Sequence, residues 1–273
     1  MKKQKILTLN FDGYNHDFDG YNHANKMSYK QRLFELYKFI DKEENINYHG
    51  NNEKAFLISL QEIVPGKDRK YLKQLAFLFP EYYLVEPVAF TEKNYRSAIN
   101  ILMIKKDQVA EYKTEVISNN ESYSLLYNYV HVVLKDGTSL SVINAHIPQT
   151  SDFSGKADWY VQKRFKLHKT FCDDIIKECK NHQKDNLIVL GDFNEVPDSD
   201  FVEEIKKIGY HSSTDPKVMT YYHNILSPTS AIDYILYSPA LCLNRVYKTI
   251  VNNSICVHQL LTDHCLLIGQ VNL

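Results

Sequence analysis

Asp192 and Asn194 stand two residues apart in Gly191-Asp192-Phe193-Asn194, directly after the apolar run 187–190. Far down the chain, Thr262-Asp263-His264 meets a second apolar run at 265–271. On an extended chain, residues two apart project to the same side, so Asp192 and Asn194 are expected to face one space. A carboxylate, an amide and an Asp-His pair at strand ends are the parts needed to hold a divalent cation through hard oxygen ligands. They are also the parts that activate water against phosphorus. Other polar residues recur where an apolar run stops: Asn10, Glu62, His146 and Asp233. A scaffold that gathers strand ends at one rim would bring all of them together.

The elements that must position these residues alternate along the chain. Residues 6–11 read as a strand, and 28–44 as a helix opened by a Ser28–Gln31 capping box, with Leu33, Leu36, Tyr37 and Ile40 on one face. A strand at 56–60 delivers Gln61-Glu62, and a helix at 69–79 is stopped by Pro80. Strands follow at 82–88, 98–104, 127–134 and 139–145. The last two flank Lys135-Asp136-Gly137-Thr138, whose Asp-Gly centre marks a hairpin. A long amphipathic helix at 156–181 precedes the strand ending in Gly191. A short helix near 200–208 and strands at 232–237, 243–251 and 265–271 complete the chain. Interleaved helices and strands with a hairpin argue for mixed sheets. No Pro/Gly/Ser-rich linker divides residues 1–273, so one catalytic domain is expected. The segment FDGYNH occurs at 11–16 and again at 18–23. The plain reading is a duplication that lengthens the loop after the first strand. The sharper ones are a substrate rim, or a metal set from Asp12, His16, Asp19 and His23.

A 273-residue chain with 44% hydrophobic and 24% charged residues can fill a core without disulfides. A net charge of -1 and a pI near 6.8 exclude a global basic field. A local basic groove stays open: Lys163, Arg164, Lys166 and Lys169 on the long helix form either a solvated face or part of such a groove. Tyr221 and Tyr222 could stack on bases. The five cysteines follow no disulfide framework and read as buried thiols of a reducing compartment. The basic start is followed by an apolar stretch too short for a secretory signal, and no apolar run approaches the ~20 residues of a membrane span. The expectation is a cytoplasmic protein with no membrane span and no obligate protein partner.

Asn10, Gln61-Glu62, Asn144-Ala145-His146, Gly191-Asp192-Phe193-Asn194, Ile232-Asp233-Tyr234 and Thr262-Asp263-His264 come in an order that resembles the endonuclease/exonuclease/phosphatase (deoxyribonuclease I-like) superfamily. Asn10-Phe11-Asp12-Gly13 and Gln61-Glu62-Ile63-Val64-Pro65 are similar to the tyrosyl-DNA phosphodiesterase pattern. Residues 191–199 (GDFNEVPDS) are closer to deadenylases and general hydrolases. Ser230-Ala231 stands where many members carry a basic residue. The resemblance implies a four-layered α/β sandwich, two mixed β-sheets packed face to face with helices outside. It also implies Mg2+- or Mn2+-dependent hydrolysis of a phosphate ester. In that scheme Glu62, Asn10 and Asp263 hold the metal, and Asp192 and Asn194 hold water and phosphate. His264 is the catalytic histidine oriented by Asp233, while His146 and Arg96 contact phosphate. The substrate expected is nucleic acid. The alternatives are a small phosphate ester or lipid headgroup, and, from another class, a binding protein without catalysis.

Overall fold

Alternation of side chains along the strands sets the layering. In the computed structural model the described residues are 3–11, 28–44, 54–118, 120, 123–150, 155–212, 219–221, 230–242, 246–252, 262 and 264–273, with 3, 43, 44, 242 and 246–252 described by backbone alone. The strands are β1 Lys3–Asn10, β2 Leu57–Ile63, β3 Tyr82–Val85, β4 Ile99–Lys105, β5 Val109–Glu115 and β6 Tyr127–Leu134. They continue with β7 Ser139–His146, β8 Leu187–Asp192, β9 His211–Ser212, β10 Asp233–Tyr237, β11 Val246–Asn252 and β12 Leu266–Asn272. Two six-stranded sheets result, ordered β11-β12-β1-β2-β4-β3 and β5-β6-β7-β8-β10-β9. Both are mixed: β1–β2 and β7–β8 run parallel, and the other pairs antiparallel.

Helices cover the outer faces. Leu33, Leu36 and Ile40 of α1 (Tyr29–Glu44) and Leu72 and Leu75 of α2 (Lys70–Leu78) pack with Leu7, Leu9, Ile58, Leu60 and Ile101 of the first sheet. Phe171, Ile175 and Cys179 of α3 (Asp158–Asn181) and Phe201 and Ile205 of α4 (Asp200–Lys207) pack with Ile143, Leu187, Val189 and Leu236 of the second. The strand residues between these, Ile6, Leu57, Leu102, Val130, Val142, Ile188, Leu190 and Ile235, meet in a third apolar layer between the sheets. The architecture is the four-layered α/β/β/α sandwich.

The helix starts follow their signals. Ser28 N donates to Gln31 Oε1 at 2.8 Å, Gln31 N donates back to Ser28 Oγ at 3.3 Å, and α1 begins at Tyr29. Around Asp136-Gly137, Thr138 N donates to Asp136 Oδ1 and Gly137 takes a φ of 85°, which closes the expected hairpin. β5 and β2 differ from expectation, as do the two-residue β9, which was not expected, and β3, which ends at Val85 and not at 88. β5 is not legible in the sequence because VAEYKTE exposes most of its residues on a sheet edge and lacks an apolar face. β2 runs on to Ile63, so Gln61 and Glu62 lie within the strand, where its register against β4 shifts between Leu60 and Ile63.

Candidate active site

Asn10, His146, Asp192 and Asp233 continue the inward-facing series of their strands. Asn10 follows Ile6 and Thr8, His146 follows Val142 and Asn144, Asp192 follows Ile188 and Leu190, and Asp233 precedes Ile235 and Tyr237. The period of two that fills the dry layer with aliphatic side chains therefore carries polar ones to the layer's end. His146 and Asp233 are the register partners of Asp192 on either side, so three strands present these groups abreast. Asn10 is paired with Gln61 on the facing sheet. Below them lies a belt of buried amides. Gln61 Nε2 donates to Asn144 Oδ1 at 2.8 Å, Asn144 Nδ2 to Asn128 Oδ1 and Ile101 O at 3.1 Å each, and Asn100 Nδ2 to Leu126 O at 2.8 Å.

The groups at the rim interlock. Asn10 Nδ2 lies 3.0 Å from Asp192 Oδ2 and 3.4 Å from Glu62 Oε1. His146 Nε2 is 3.5 Å from Glu62 Oε1 and 3.7 Å from Asp192 Oδ2. His264 Nδ1 is 2.9 and 3.0 Å from the two Asp233 oxygens, and its Nε2 is 3.7 Å from Asp192 Oδ2. A carboxylate only accepts, so Nδ1 of His264 carries the proton. The neighbourhood holds His264 firmly. Thr262 Oγ1 donates to Asn10 O at 2.7 Å and accepts from His264 N at 3.1 Å, while the Tyr221 ring lies 5.0 Å from the imidazole. Thr220 Oγ1 accepts from Ile232 N and Asp233 N at 3.0 Å, which fixes the start of β10.

Asp192 and Asn194 meet by a turn and not along an extended chain. Asn194 has a φ of 51°, and its backbone N donates to Asp192 Oδ1 at 2.8 Å, an Asx turn. The turn aims Asn194 Nδ2 at Ile147 O (2.9 Å), next to His146, with Asp192 Oδ2 at 3.4 Å. Glu62 also has a left-handed backbone, φ 58°, at the irregular end of β2. Left-handed non-glycine residues cost about 1–3 kcal/mol each and persist where the surroundings over-determine them.

Burial sets the charges. It pushes the Asp192 carboxyl up to about 6, seconded by Asp233 and opposed by His264, His146 and Asn10. Burial also holds His146 below the usual histidine range, against the pull of Asp192, so its ring is neutral at pH 7. Glu62 Oε1 and Asp192 Oδ2 are hard oxygen donors converging on Asn10 Nδ2, and Asn10 would add its own oxygen only with the amide turned over. This donor set fits a hard divalent cation. Asp192, Asp233 and His264 also offer donor atoms within 4.8 Å of one another, but Asp233 and His264 Nδ1 are engaged with each other.

Of the residues singled out in the sequence, the structure unites Asn10, Glu62, His146, Asp192, Asn194, Asp233 and His264. Asp263 lies outside the described residues, as do Asp12, His16, Asp19, His23 and Tyr222. Arg96 is exposed, with its guanidinium 5.3 Å from the Tyr95 ring. On α3, Lys163, Lys166 and Lys169 are exposed, whereas half-buried Arg164 turns towards Gln149 O (3.4 Å) and the charge field of His146. Sequence reasoning missed Asn100 and Asn128 of the amide belt, and Thr220. The signal for the two amides was an Asn on the inward side of an otherwise apolar strand.

The Endonuclease/Exonuclease/phosphatase family matches residues 51–264. The chain belongs to that family. Its members hydrolyse phosphoester bonds and are generally dependent on divalent metals. Among curated protein sequences none matches the chain. Solved structures with the same fold include an AP endonuclease from Archaeoglobus fulgidus (TM-score 0.68, 12% identity, 99% of this chain and 100% of that one). A humanized D. rerio TDP2 aligns with a TM-score of 0.56 at 16% identity over 99% of each chain. A mannosyl-6-phosphatase from Bacteroides thetaiotaomicron aligns with a TM-score of 0.63 at 16% identity, covering 99% of this chain and 100% of that one. The endonuclease/exonuclease/phosphatase chain described here shares the sandwich with all three.

Proposed function

We propose that this enzyme hydrolyses phosphate esters of nucleic acid at the rim formed by β1, β2, β7, β8 and β10, with Mg2+ or Mn2+ as cofactor. The reading rests on one observation: Asp192 stands within 3.7 Å of Asn10, His146 and His264 at once, with Glu62 joined to the same cluster. Glu62 and Asn10, with Asp263, would hold the cation. When bound, it neutralises phosphate charge and lowers the pKa of coordinated water. Asp233 keeps the proton of His264 on Nδ1, so Nε2 faces Asp192 across 3.7 Å, close enough for one oxygen to the side of the pair to touch both. Asp192 orients that oxygen and takes its proton as it attacks phosphorus. The second N–H of Asn194 and neutral His146 donate to non-bridging oxygens, adding no negative charge to the site. Arg96 supplies a further phosphate contact at the exposed edge.

Similarity to an AP endonuclease and to TDP2, the Asn10–Gly13 and Gln61–Pro65 patterns, and the exposed lysines of α3 support nucleic acid as substrate. A second reading, a phosphatase of small phosphate esters, draws on the net charge of -1 and on the likeness to a mannosyl-6-phosphatase. Among the described residues Cys172, Cys179 and Cys265 are buried and form no disulfide, which supports the reading of a reducing compartment such as the cytoplasm. Among the described residues no helix is long and apolar enough to cross a membrane. The deciding experiment is turnover, with Mg2+ and with EDTA, of plasmid DNA, single-stranded oligonucleotides, RNA, a tyrosyl-linked oligonucleotide, a nitrophenyl diester and sugar phosphates. Mg2+-dependent cleavage of a polynucleotide is expected. Turnover of a small ester alone would reject nucleic acid, and activity surviving EDTA would reject the metal.

A further inference from the structure

A second group of donor atoms lies behind the catalytic turns. His168 Nε2 or Nδ1, Cys172 Sγ and a Glu195 carboxylate oxygen come within 4.8 Å of one another. His168 and Cys172 are four residues apart on α3, the spacing that delivers two ligands to one helix face. Glu195 follows Asn194 directly. His168 and Cys172 are 8% and 6% exposed, and the Glu195 side chain 17%.

The histidine is already oriented as a ligand would be. His168 Nδ1 lies 2.7 Å from Pro148 O, and a carbonyl only accepts, so Nδ1 carries a proton and Nε2 faces inward. An imidazole ligand almost always donates its other N–H in this way. Nε2 is 2.5 Å from Glu195 Oε1. Glu195 in turn takes a hydrogen bond from Ser199, a second outer partner of the kind that steadies a ligating carboxylate. Without metal, an imidazolium–carboxylate pair fills the place of a cation. Such a pair leaves the Cys172 thiol unused, although it points into the same small space.

We propose that His168, Cys172 and Glu195 form a binding site for a zinc-class divalent metal, separate from the cation of the catalytic rim. Thiolate, imidazole and carboxylate make a borderline-soft set that suits Zn2+ with water as fourth ligand, whereas Mg2+ takes oxygen ligands. Burial keeps the Cys172 thiol protonated on its own. Metal therefore displaces one proton from sulfur and one from Nε2, and affinity rises with pH. Occupancy would lock α3 to both catalytic turns, because Pro148 follows His146 by two residues and Glu195 follows Asn194.

The test is a spectrum and does not depend on turnover. Chelator-treated protein is titrated with Co2+ alone. The expected result is one equivalent bound, with a sulfur-to-cobalt charge-transfer band, displaced by Zn2+ and untouched by excess Mg2+. Cys172→Ser should abolish the band, while Glu62→Ala should keep it. No sulfur band in the wild type, or a band surviving Cys172→Ser, overturns the site. Should Cys172→Ser fail to fold, X-ray absorption of the zinc-loaded wild type decides. One sulfur with nitrogen and oxygen neighbours supports the proposal, and a shell without sulfur refutes it.

Discussion

The role proposed for Asp192 comes at the expense of stability. Its ordinary pKa of 3.8 rises to about 6 in the fold, chiefly by burial. Between those values the folded protein binds a proton that the unfolded chain has released, so stability falls as pH rises from about 4 to 6 and stays lowered above. Asp192→Asn should therefore stabilise the chelator-treated protein at pH 8, by up to about 3 kcal/mol, and give no gain at pH 4. Thermal melts at the two pH values check this; an equal effect at both would assign the gain to packing instead. The same substitution should abolish turnover. His264→Ala should cut kcat by roughly 10²–10⁴-fold, as for loss of a positioned acid or base, with the fold intact by circular dichroism.

At the scale of elements, Gly191 shows how a strand end becomes a site. Its φ is 130°, and an added Cβ would lie 2.0 Å from Ala145 O on the parallel neighbour β7. Gly191→Ala should then cost at least about 3 kcal/mol, read from denaturant unfolding, because neither backbone can withdraw without moving His146 or Asp192. Capping boxes, Pro80 and the Asp-Gly hairpin made most element bounds legible, because each acts within a few residues. β5 was hidden because Glu111, Lys113 and Glu115 share one face and the largely exposed other, with Tyr112 and Thr114, offers no apolar run at the sheet edge. The conformation of Glu62 was hidden too, since a left-handed residue inside a strand is set by the sheet around it. Spacing alone could not bring Asn10 to Asp192, which are 182 residues apart; the family's motif order did that.

In the whole molecule, the amide belt separates a dry interlayer from a wet rim. Asn144 is its hub, completely buried and bonded to both sheets. Asn144→Leu would leave Asn128 Oδ1 and Ile101 O without this donor and take one acceptor from Gln61, and should cost about 3 kcal/mol or more despite adding apolar surface. A chemical denaturation curve unchanged from wild type would show that the belt is dispensable. The inward series that ends in Asn10, His146, Asp192 and Asp233 has a further consequence, for how such a chain can change length. Removing one residue inside β8 would put Phe193 where Asp192 stands and turn every later side chain to the opposite face. Insertions and deletions within these strands are tolerable only in pairs, whereas the connecting loops can vary by any number. Related chains should therefore differ freely in loop length, while their rim-bearing strands keep the same odd or even length.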